Sequence, residues 1–181
     1  TPFGRDEVLQ RCAPALNGAE FYALQAQKGN GWGAAFQGIQ QLWRGQNEAL
    51  SLVRPAPSIA QRMSGYWLHP ALSDSSGHVL VGTLPLREEE GAKQGAFVGG
   101  GIQELRFYRR PVGDLLWSYA RLRTEDDQPA NVLCGDVAAY DETGALVAET
   151  IGARLWYLDK ESQAAWVEST DDWFYGIDWQ E

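Results

Sequence analysis

Cysteine, histidine and methionine are scarce in this sequence: its 181 residues include two cysteines, two histidines and one methionine. Cys12 and Cys134 are too few for a disulfide framework or for a zinc site built from thiolates. So few cysteines fit a reducing compartment, so we expect a cytoplasmic location. No apolar run approaches the roughly 20 residues that a membrane helix requires, and no secretory signal segment stands out. We therefore expect no membrane partner.

Positive charge is also in short supply. Lys and Arg number 15 against 24 Asp and Glu, which gives a net charge of −9 at pH 7. Binding to phosphates requires a basic surface, so we expect no nucleic-acid partner. Apolar residues are plentiful, at 44% of the chain, and include eight tryptophans. This composition predicts one folded domain with a real core rather than a disordered chain.

Two helices are predicted in the first half of the chain. One covers residues 18–28. The other covers residues 68–84, where Pro70 suits the first turn because its missing N–H costs nothing there. Residues 6–16 are compatible with a short helix or with a linker.

The remaining pattern is typical of antiparallel strands. Residues 40–52 resemble a hairpin, and residues 141–144 form a second turn with glycine where positive φ is needed. Residues 99–101, three glycines, are predicted to be a flexible loop. Further strands are predicted over residues 102–108, 115–124, 131–140 and 145–158. A long antiparallel sheet with one main helix placed early indicates the α+β class.

The most informative motif is LHPALSDSSGH at residues 68–78. It resembles the His-Pro-Ala-Leu-Leu-Asp-Ala-Ala-Leu-Gln/His motif of the dehydratase domains of polyketide synthases. Phe21-Tyr22 and the segment GWGAAFQG at residues 31–38 resemble the family's Phe-Tyr … Tyr-Gly-Pro-x-Phe-Gln-Gly stretch. Further segments follow in the family's order, at residues 42–45, 136–149 and 175–179. The resemblance covers nearly all of the chain.

This resemblance implies a double hotdog, in which each of two antiparallel sheets wraps around a central helix. Residues 20–160 would form the second, C-terminal hotdog. Residues 1–19 would be the linker between the two hotdogs, and residues 161–181 a linker towards a following synthase domain. A single hotdog leaves a sheet edge and a helix surface to be covered. The implied partner is the N-terminal hotdog or a second copy, with other synthase domains in the same assembly.

Dehydration of a 3-hydroxyacyl thioester requires a base for the α-proton and an acid for the departing hydroxyl. In the family, the base is a histidine within His-x3-Gly-x4-Pro of the first hotdog, and the acid is an aspartate of the second. Asp74 falls on the position of the acid. His69 is followed by Ser73 where the base motif needs glycine, and His78 by Arg87 where it needs proline. The resemblance therefore implies that this chain lacks the base.

The candidate catalytic residues are Asp74 and His78. A carboxyl group between apolar walls retains its proton more readily, which suits an acid. His78 lies four residues later, on the same helical face, within reach to orient that carboxyl group. An ordinary Asp–His pair on a helix surface is the open alternative. We expect His69 to hold the turn before the helix.

The candidate substrate-binding residues are Trp32, Phe36, His69 and Pro70. Aromatic core packing is an equal alternative for Trp32 and Phe36. The family's Tyr-Gly-Pro appears here as Trp-Gly-Ala at residues 32–34, and tryptophan lacks the phenol oxygen. Where many members have Leu-Pro-Phe-x-Trp, this chain has VGGGI at residues 98–102, which predicts a more flexible wall.

We therefore expect part of a lyase that eliminates water from a 3-hydroxyacyl thioester and that is inactive without its other half. The resemblance implies no metal and no organic cofactor, and a substrate carried on the phosphopantetheine arm of an acyl carrier protein. Three alternatives stay open. They are an isomerase or cyclase on the same fold, a non-catalytic dehydratase-like scaffold for dimerisation, and a free-standing hotdog homodimer that binds or hydrolyses acyl thioesters.

Overall fold

The computed structural model describes residues 3–87, 91, 94–123 and 129–159. Within these ranges the chain forms three α-helices and one sheet of eight strands. The helices are α1 Arg5–Arg11, α2 Gly18–Gln27 and α3 Pro70–Gly77. The strands are β1 Ala13–Asn17, β2 Ile39–Arg44, β3 Glu48–Val53, β4 Gly95–Gly101, β5 Glu104–Phe107, β6 Leu116–Leu122, β7 Val132–Tyr140 and β8 Leu146–Asp159. The linker predicted at residues 161–181 lies outside the described residues.

The sheet is antiparallel throughout and runs in the order β1-β2-β3-β6-β7-β8. The 14 residues of β8 are long enough to pair with β5 and then with β4 along the other edge. Four strand pairs (β1-β2, β2-β3, β6-β7 and β7-β8) join strands that are consecutive in the chain. The class is α+β, as predicted.

The helix predicted over residues 68–84 packs in the middle of this sheet. Pro70 opens α3, and the helical path continues without a break as a 3₁₀ segment, His78–Thr83. This path contacts strands β2, β3, β6 and β7. Its most buried apolar side chains are Leu72, Val79 and Leu80. An antiparallel sheet packed around a buried helix is the hotdog arrangement, which confirms the predicted fold.

Two of the sequence expectations differ from the structure. The helix that was possible over residues 6–16 ends at Arg11, and the chain then enters β1. Pro14 has no N–H for a helical hydrogen bond, whereas an edge strand tolerates it. The loop predicted at residues 99–101 is wrong, because these glycines belong to β4 and pair with β8.

The linker predicted at residues 1–19 contains α1 and β1. Helix α1 covers the outer face of the sheet through a small apolar cluster of Val8, Cys12 and Leu50. Arg11 Nε donates to Glu48 Oε1 at 2.6 Å, and Tyr119 Oη donates to Glu48 Oε2 at 2.5 Å. Burial alone would raise the pKa of Glu48, but these two hydrogen bonds, together with the positive charges of Arg11 and Arg121, outweigh it and lower the pKa.

The turn predicted at residues 141–144 is confirmed, with Gly144 at φ 79°. Asp141 is fully buried beneath this turn. Its Oδ1 accepts hydrogen bonds from Thr143 N at 2.9 Å, Thr143 Oγ1 at 2.6 Å and Ala145 N at 3.2 Å. Its Oδ2 accepts one from Val112 N at 3.1 Å. The carboxylate therefore joins the β7-β8 hairpin to the segment that precedes β6.

Candidate active site

The start of α3 is set by His69 and Pro70. His69 is the N-cap residue, and its Nδ1 accepts a hydrogen bond from Ala71 N at 3.2 Å. Pro70 occupies the first helical position, where no intrahelical donor is needed. His69 thus holds the turn before the helix, as expected from the sequence. This cap directs α3 along the cavity described below.

Asp74 and His78 meet on one face of the helical path. The Nε2 atom of His78 lies 2.9 Å from Oδ2 of Asp74, which confirms the contact predicted from their spacing. The His78 side chain is 6% exposed, but that of Asp74 is 49% exposed. The predicted enclosure of Asp74 between apolar walls is therefore wrong for this chain alone. The described residues cover one side of the carboxyl group and leave the other open.

Two aromatic side chains hold the imidazole ring of His78. The Trp32 ring lies over it, with 4.0 Å between ring centroids. Tyr22 meets it edge-on, with the phenol oxygen 3.3 Å from Nδ1. Burial raises the pKa of Tyr22 to about 12, so the phenol keeps its hydrogen at neutral pH. Sequence reasoning assigned no role to Tyr22, because 56 residues separate it from His78 and no local pattern links them.

Asp74 and His78 line a cavity of about 650 Å³. Trp32 and Pro70, two of the predicted substrate-binding residues, also line it. The other two, Phe36 and His69, are not among the residues on its wall. The opposite wall comes from β4, β5 and β8 and includes Gly99 and Gly101. The glycine-rich stretch thus contributes to the cavity as a strand.

Phe36 contributes through its backbone. The residue is 40% exposed, while its carbonyl oxygen lies 3.2 Å from Tyr22 Oη and 2.8 Å from Ser75 Oγ. These contacts tie the short 3₁₀ turn Ala34–Phe36 to α2 and α3. Phe36 therefore contacts Tyr22 and Ser75 through its backbone and does not line the cavity.

Across the described ranges, no three His, Cys, Asp or Glu side chains are grouped so that they could hold a metal ion. No helix in the same part of the chain is long and apolar enough to cross a membrane.

Comparison with known proteins identifies the family to which this fold belongs. A family model described as "Polyketide synthase dehydratase N-terminal domain" matches residues 1–165. The chain belongs to the polyketide synthase dehydratase family. This confirms the family resemblance of the motifs. The description names an N-terminal domain, so the assignment of this dehydratase chain to the C-terminal half rests on its motifs.

Individual relatives agree with that membership. Naringenin synthase of Pestalotiopsis fici is 34% identical over 129 residues, which are 71% of this chain and 4% of that protein. The dehydratase domain from the CurJ module of curacin polyketide synthase is 26% identical, with a TM-score of 0.75. An inactive variant of the CurK dehydratase, with an aspartate replaced by asparagine, is also 26% identical, with a TM-score of 0.72.

The chain is much shorter than these relatives. It covers 56% of the CurJ dehydratase chain and 53% of the CurK chain. It therefore spans about half of a solved dehydratase domain and a few per cent of a whole synthase.

Proposed function

We propose that this chain is the C-terminal, acid-bearing hotdog of a polyketide synthase dehydratase that eliminates water from a 3-hydroxyacyl thioester. The Asp74–His78 pair on the wall of the 650 Å³ cavity carries this proposal. The pair stands in a motif that resembles the family's acid-bearing segment. An inactive dehydratase relative with a single aspartate exchanged supports an essential carboxyl group in such domains.

In the proposed reaction, Asp74 is the general acid. A base removes the α-proton of the thioester, and that electron pair forms the α,β double bond. The β-carbon–oxygen bond breaks, and the hydroxyl group takes a proton from Asp74 and leaves as water. His78 Nε2 is in contact with Oδ2, which leaves Oδ1 of Asp74 for the substrate. The products are an enoyl thioester, water, the protonated base and an Asp74 carboxylate.

The base is proposed to come from outside this chain. In this chain, Nδ1 of His69 accepts a hydrogen bond from Ala71 N. Both ring nitrogens of His78 are in hydrogen-bond contact, Nε2 with Asp74 and Nδ1 with Tyr22. Neither histidine stands in the family's base motif. An N-terminal hotdog would bring that histidine to the open side of Asp74. The length of the match, about half of a solved dehydratase, supports this arrangement.

The exposed apolar edge of the sheet supports the same partner. Every residue of β5 is exposed, including Leu105 at 46% and Phe107 at 48%. Ile102, just before β5, is 57% exposed. An edge strand with exposed apolar side chains favours coverage by another body. We propose the N-terminal hotdog in that place, with a second copy of this chain as the alternative.

The remaining parts of the proposal concern delivery of the substrate. A thioester on the phosphopantetheine arm of an acyl carrier protein would enter through the open side of the cavity. Neither a metal nor an organic cofactor takes part in the proposed proton transfers. The other synthase domains of the assembly would supply the 3-hydroxyacyl group and use the enoyl product, in the cytoplasm.

A second candidate function follows from the glycine-rich wall. Gly99 and Gly101 place no side chains in the cavity, and Trp32 stands where the family motif has tyrosine. These differences favour an unusual acyl group, or a related isomerase or cyclase that also moves protons beside a thioester. If these differences have removed the activity altogether, the chain would be a non-catalytic dehydratase-like scaffold.

The test uses the complete dehydratase domain of the parent synthase and a 3-hydroxyacyl thioester on its carrier protein, followed by mass spectrometry. We expect the wild-type domain to release water, and Asp74→Asn to lower that rate by about 10²–10⁴-fold. Asp114→Asn, at an exposed surface position, is the matched control and should keep the rate. Unchanged dehydration by Asp74→Asn would overturn the proposal. A rearranged product without loss of water would favour the isomerase or cyclase.

A further inference from the structure

Three side chains form a hydrogen-bonded series from the core to the cavity. The phenol oxygen of Tyr22 lies 3.3 Å from His78 Nδ1, and His78 Nε2 lies 2.9 Å from Asp74 Oδ2. Tyr22 is 6% exposed and His78 5%. The ring of Trp32 covers one face of the imidazole. Solvent therefore has little access to the inner half of this series.

The hydrogen-bond partners of Tyr22 decide where its hydrogen points. Its oxygen accepts from Ile39 N at 3.1 Å, and its one hydrogen has two acceptors, Phe36 O at 3.2 Å and His78 Nδ1. Phe36 O also accepts from Ser75 Oγ at 2.8 Å. Within the described ranges, Nδ1 of His78 has Tyr22 as its sole hydrogen-bond partner. In a neutral imidazole whose hydrogen lies on Nε2, facing the Asp74 carboxyl group, Nδ1 is an acceptor. A buried acceptor without a donor is costly, so the Tyr22 hydrogen then belongs on Nδ1.

We infer that Tyr22 is a positioning residue that donates to Nδ1 of His78 and so keeps the imidazole hydrogen on Nε2, facing Asp74. A neutral imidazole has one N–H donor and one acceptor nitrogen, so fixing the acceptor fixes the donor. Nε2–H then donates to Oδ2 of Asp74 whether that carboxyl group is protonated or ionised. All three side chains that define this tautomer belong to this chain.

The consequence for catalysis rests on the proposed function. With Nε2–H in place, the acidic hydrogen of Asp74 sits on the other oxygen, Oδ1, and is available to the leaving hydroxyl group. In the opposite tautomer, the Nε2 lone pair would face Asp74 and accept that hydrogen. The acid would then be turned away from the substrate. Tyr22 thus acts on the reaction through His78 and touches no reacting atom.

The tautomer can be observed directly by ¹⁵N NMR on the 181-residue chain. Its two histidines give two sets of ring signals, and His69 is an internal reference whose Nδ1 accepts from Ala71 N. At about pH 8 we expect the single ring hydrogen of His78 to be on Nε2. Hydrogen on Nδ1 in the wild-type chain would overturn the inference, whatever any variant does.

Removal of the phenol hydroxyl tests the donor. In Tyr22→Phe we expect the His78 Nδ1 resonance to move while the His69 signals stay in place, which also reports that α3 is intact. Tyr140→Phe is the matched control, because Tyr140 stacks on Phe3 and does not contact His78. An unmoved Nδ1 resonance in folded Tyr22→Phe would overturn the inference.

Kinetics of the complete domain separate this inference from the proposed function. We expect Tyr22→Phe to lower kcat for dehydration by about 10- to 100-fold, by analogy with the loss of a hydrogen-bond partner that orients a metal-bound histidine. KM should change little, and Tyr140→Phe should match wild type. A wild-type kcat in Tyr22→Phe would overturn the positioning role. A wild-type domain that forms no enoyl product, with Nε2–H seen by NMR, would overturn the proposed function and leave the tautomer assignment standing.

Discussion

Replacement of Asp141 should destabilise this fold far more than replacement of an exposed aspartate. Its buried carboxylate accepts four hydrogen bonds, three from the turn and one from Val112 N. A hydrogen bond to a charged group contributes about 1.5–3 kcal/mol net. Thr143 is exposed, so water can replace part of what is lost there. We therefore expect Asp141→Ala to lower the free energy of unfolding by about 3–5 kcal/mol.

The effect should depend on pH in one direction. Burial alone would raise the pKa of Asp141, but the hydrogen bonds from Thr143, Val112 and Ala145 outweigh it, and the folded-state pKa is lowered. A lowered folded-state pKa stabilises the fold above the unfolded pKa of about 3.9, and this contribution is lost as the pH falls through the folded value. The difference between wild type and Asp141→Ala should therefore shrink in acid.

Urea unfolding followed by tryptophan fluorescence measures both effects. The control is Asp114→Asn, whose carboxylate is exposed and pairs with Arg54 at the surface. Such a pair is worth about 0–1 kcal/mol, so the control should stay near wild type. If Asp141→Ala were no less stable than Asp114→Asn at neutral pH, the structural account of this turn would be refuted.

Two further predictions concern other parts of the chain. Glu48→Gln should lower the unfolding free energy at neutral pH by roughly 1–2 kcal/mol, because α1 docks more weakly on the sheet. The folded-state pKa of Glu48 is lowered, so urea unfolding at a series of pH values should show this difference becoming smaller below about pH 4.3. A difference that stays constant with pH would contradict this explanation. In the complete domain, His78→Ala should lower kcat for dehydration by about 10- to 100-fold, whereas His78→Gln, which keeps a donor towards Asp74, should lose less. Equal losses in the two variants would show that no donor is needed at this position.

Elements with a local chemical signal were predictable from the sequence. The start of α3 follows from Pro70, and α2 begins at Gly18, directly after the N-cap residue Asn17, which forms a capping box with Glu20. Strand β4 was missed because its glycines have no side chains to alternate between faces. Its conformation is set by backbone pairing with β8, in which the paired β4 residues have partners 53 to 64 positions later in the chain, from Gly101↔Arg154 to Gly95↔Asp159.

The candidate site also has features that the sequence predicts and features that it does not. The spacing of Asp74 and His78 on one helix was sufficient to predict their contact. The contact of His78 with Tyr22 depends on how α2 packs against α3, and no short-range pattern encodes that packing. The exposure of Asp74 was also beyond the sequence, because it depends on what covers the open side of the cavity.

The general-acid role of Asp74 is the central claim, and a change of leaving group tests it most directly. The complete domain would be given a 3-hydroxyacyl thioester and, separately, a 3-fluoroacyl thioester, whose fluoride leaves with little need for a proton. We predict that Asp74→Asn slows the loss of water by about 10²–10⁴-fold and slows the loss of fluoride far less. Equal slowing of both eliminations would contradict the claim, because Asp74 would then act on a step other than protonation of the leaving group.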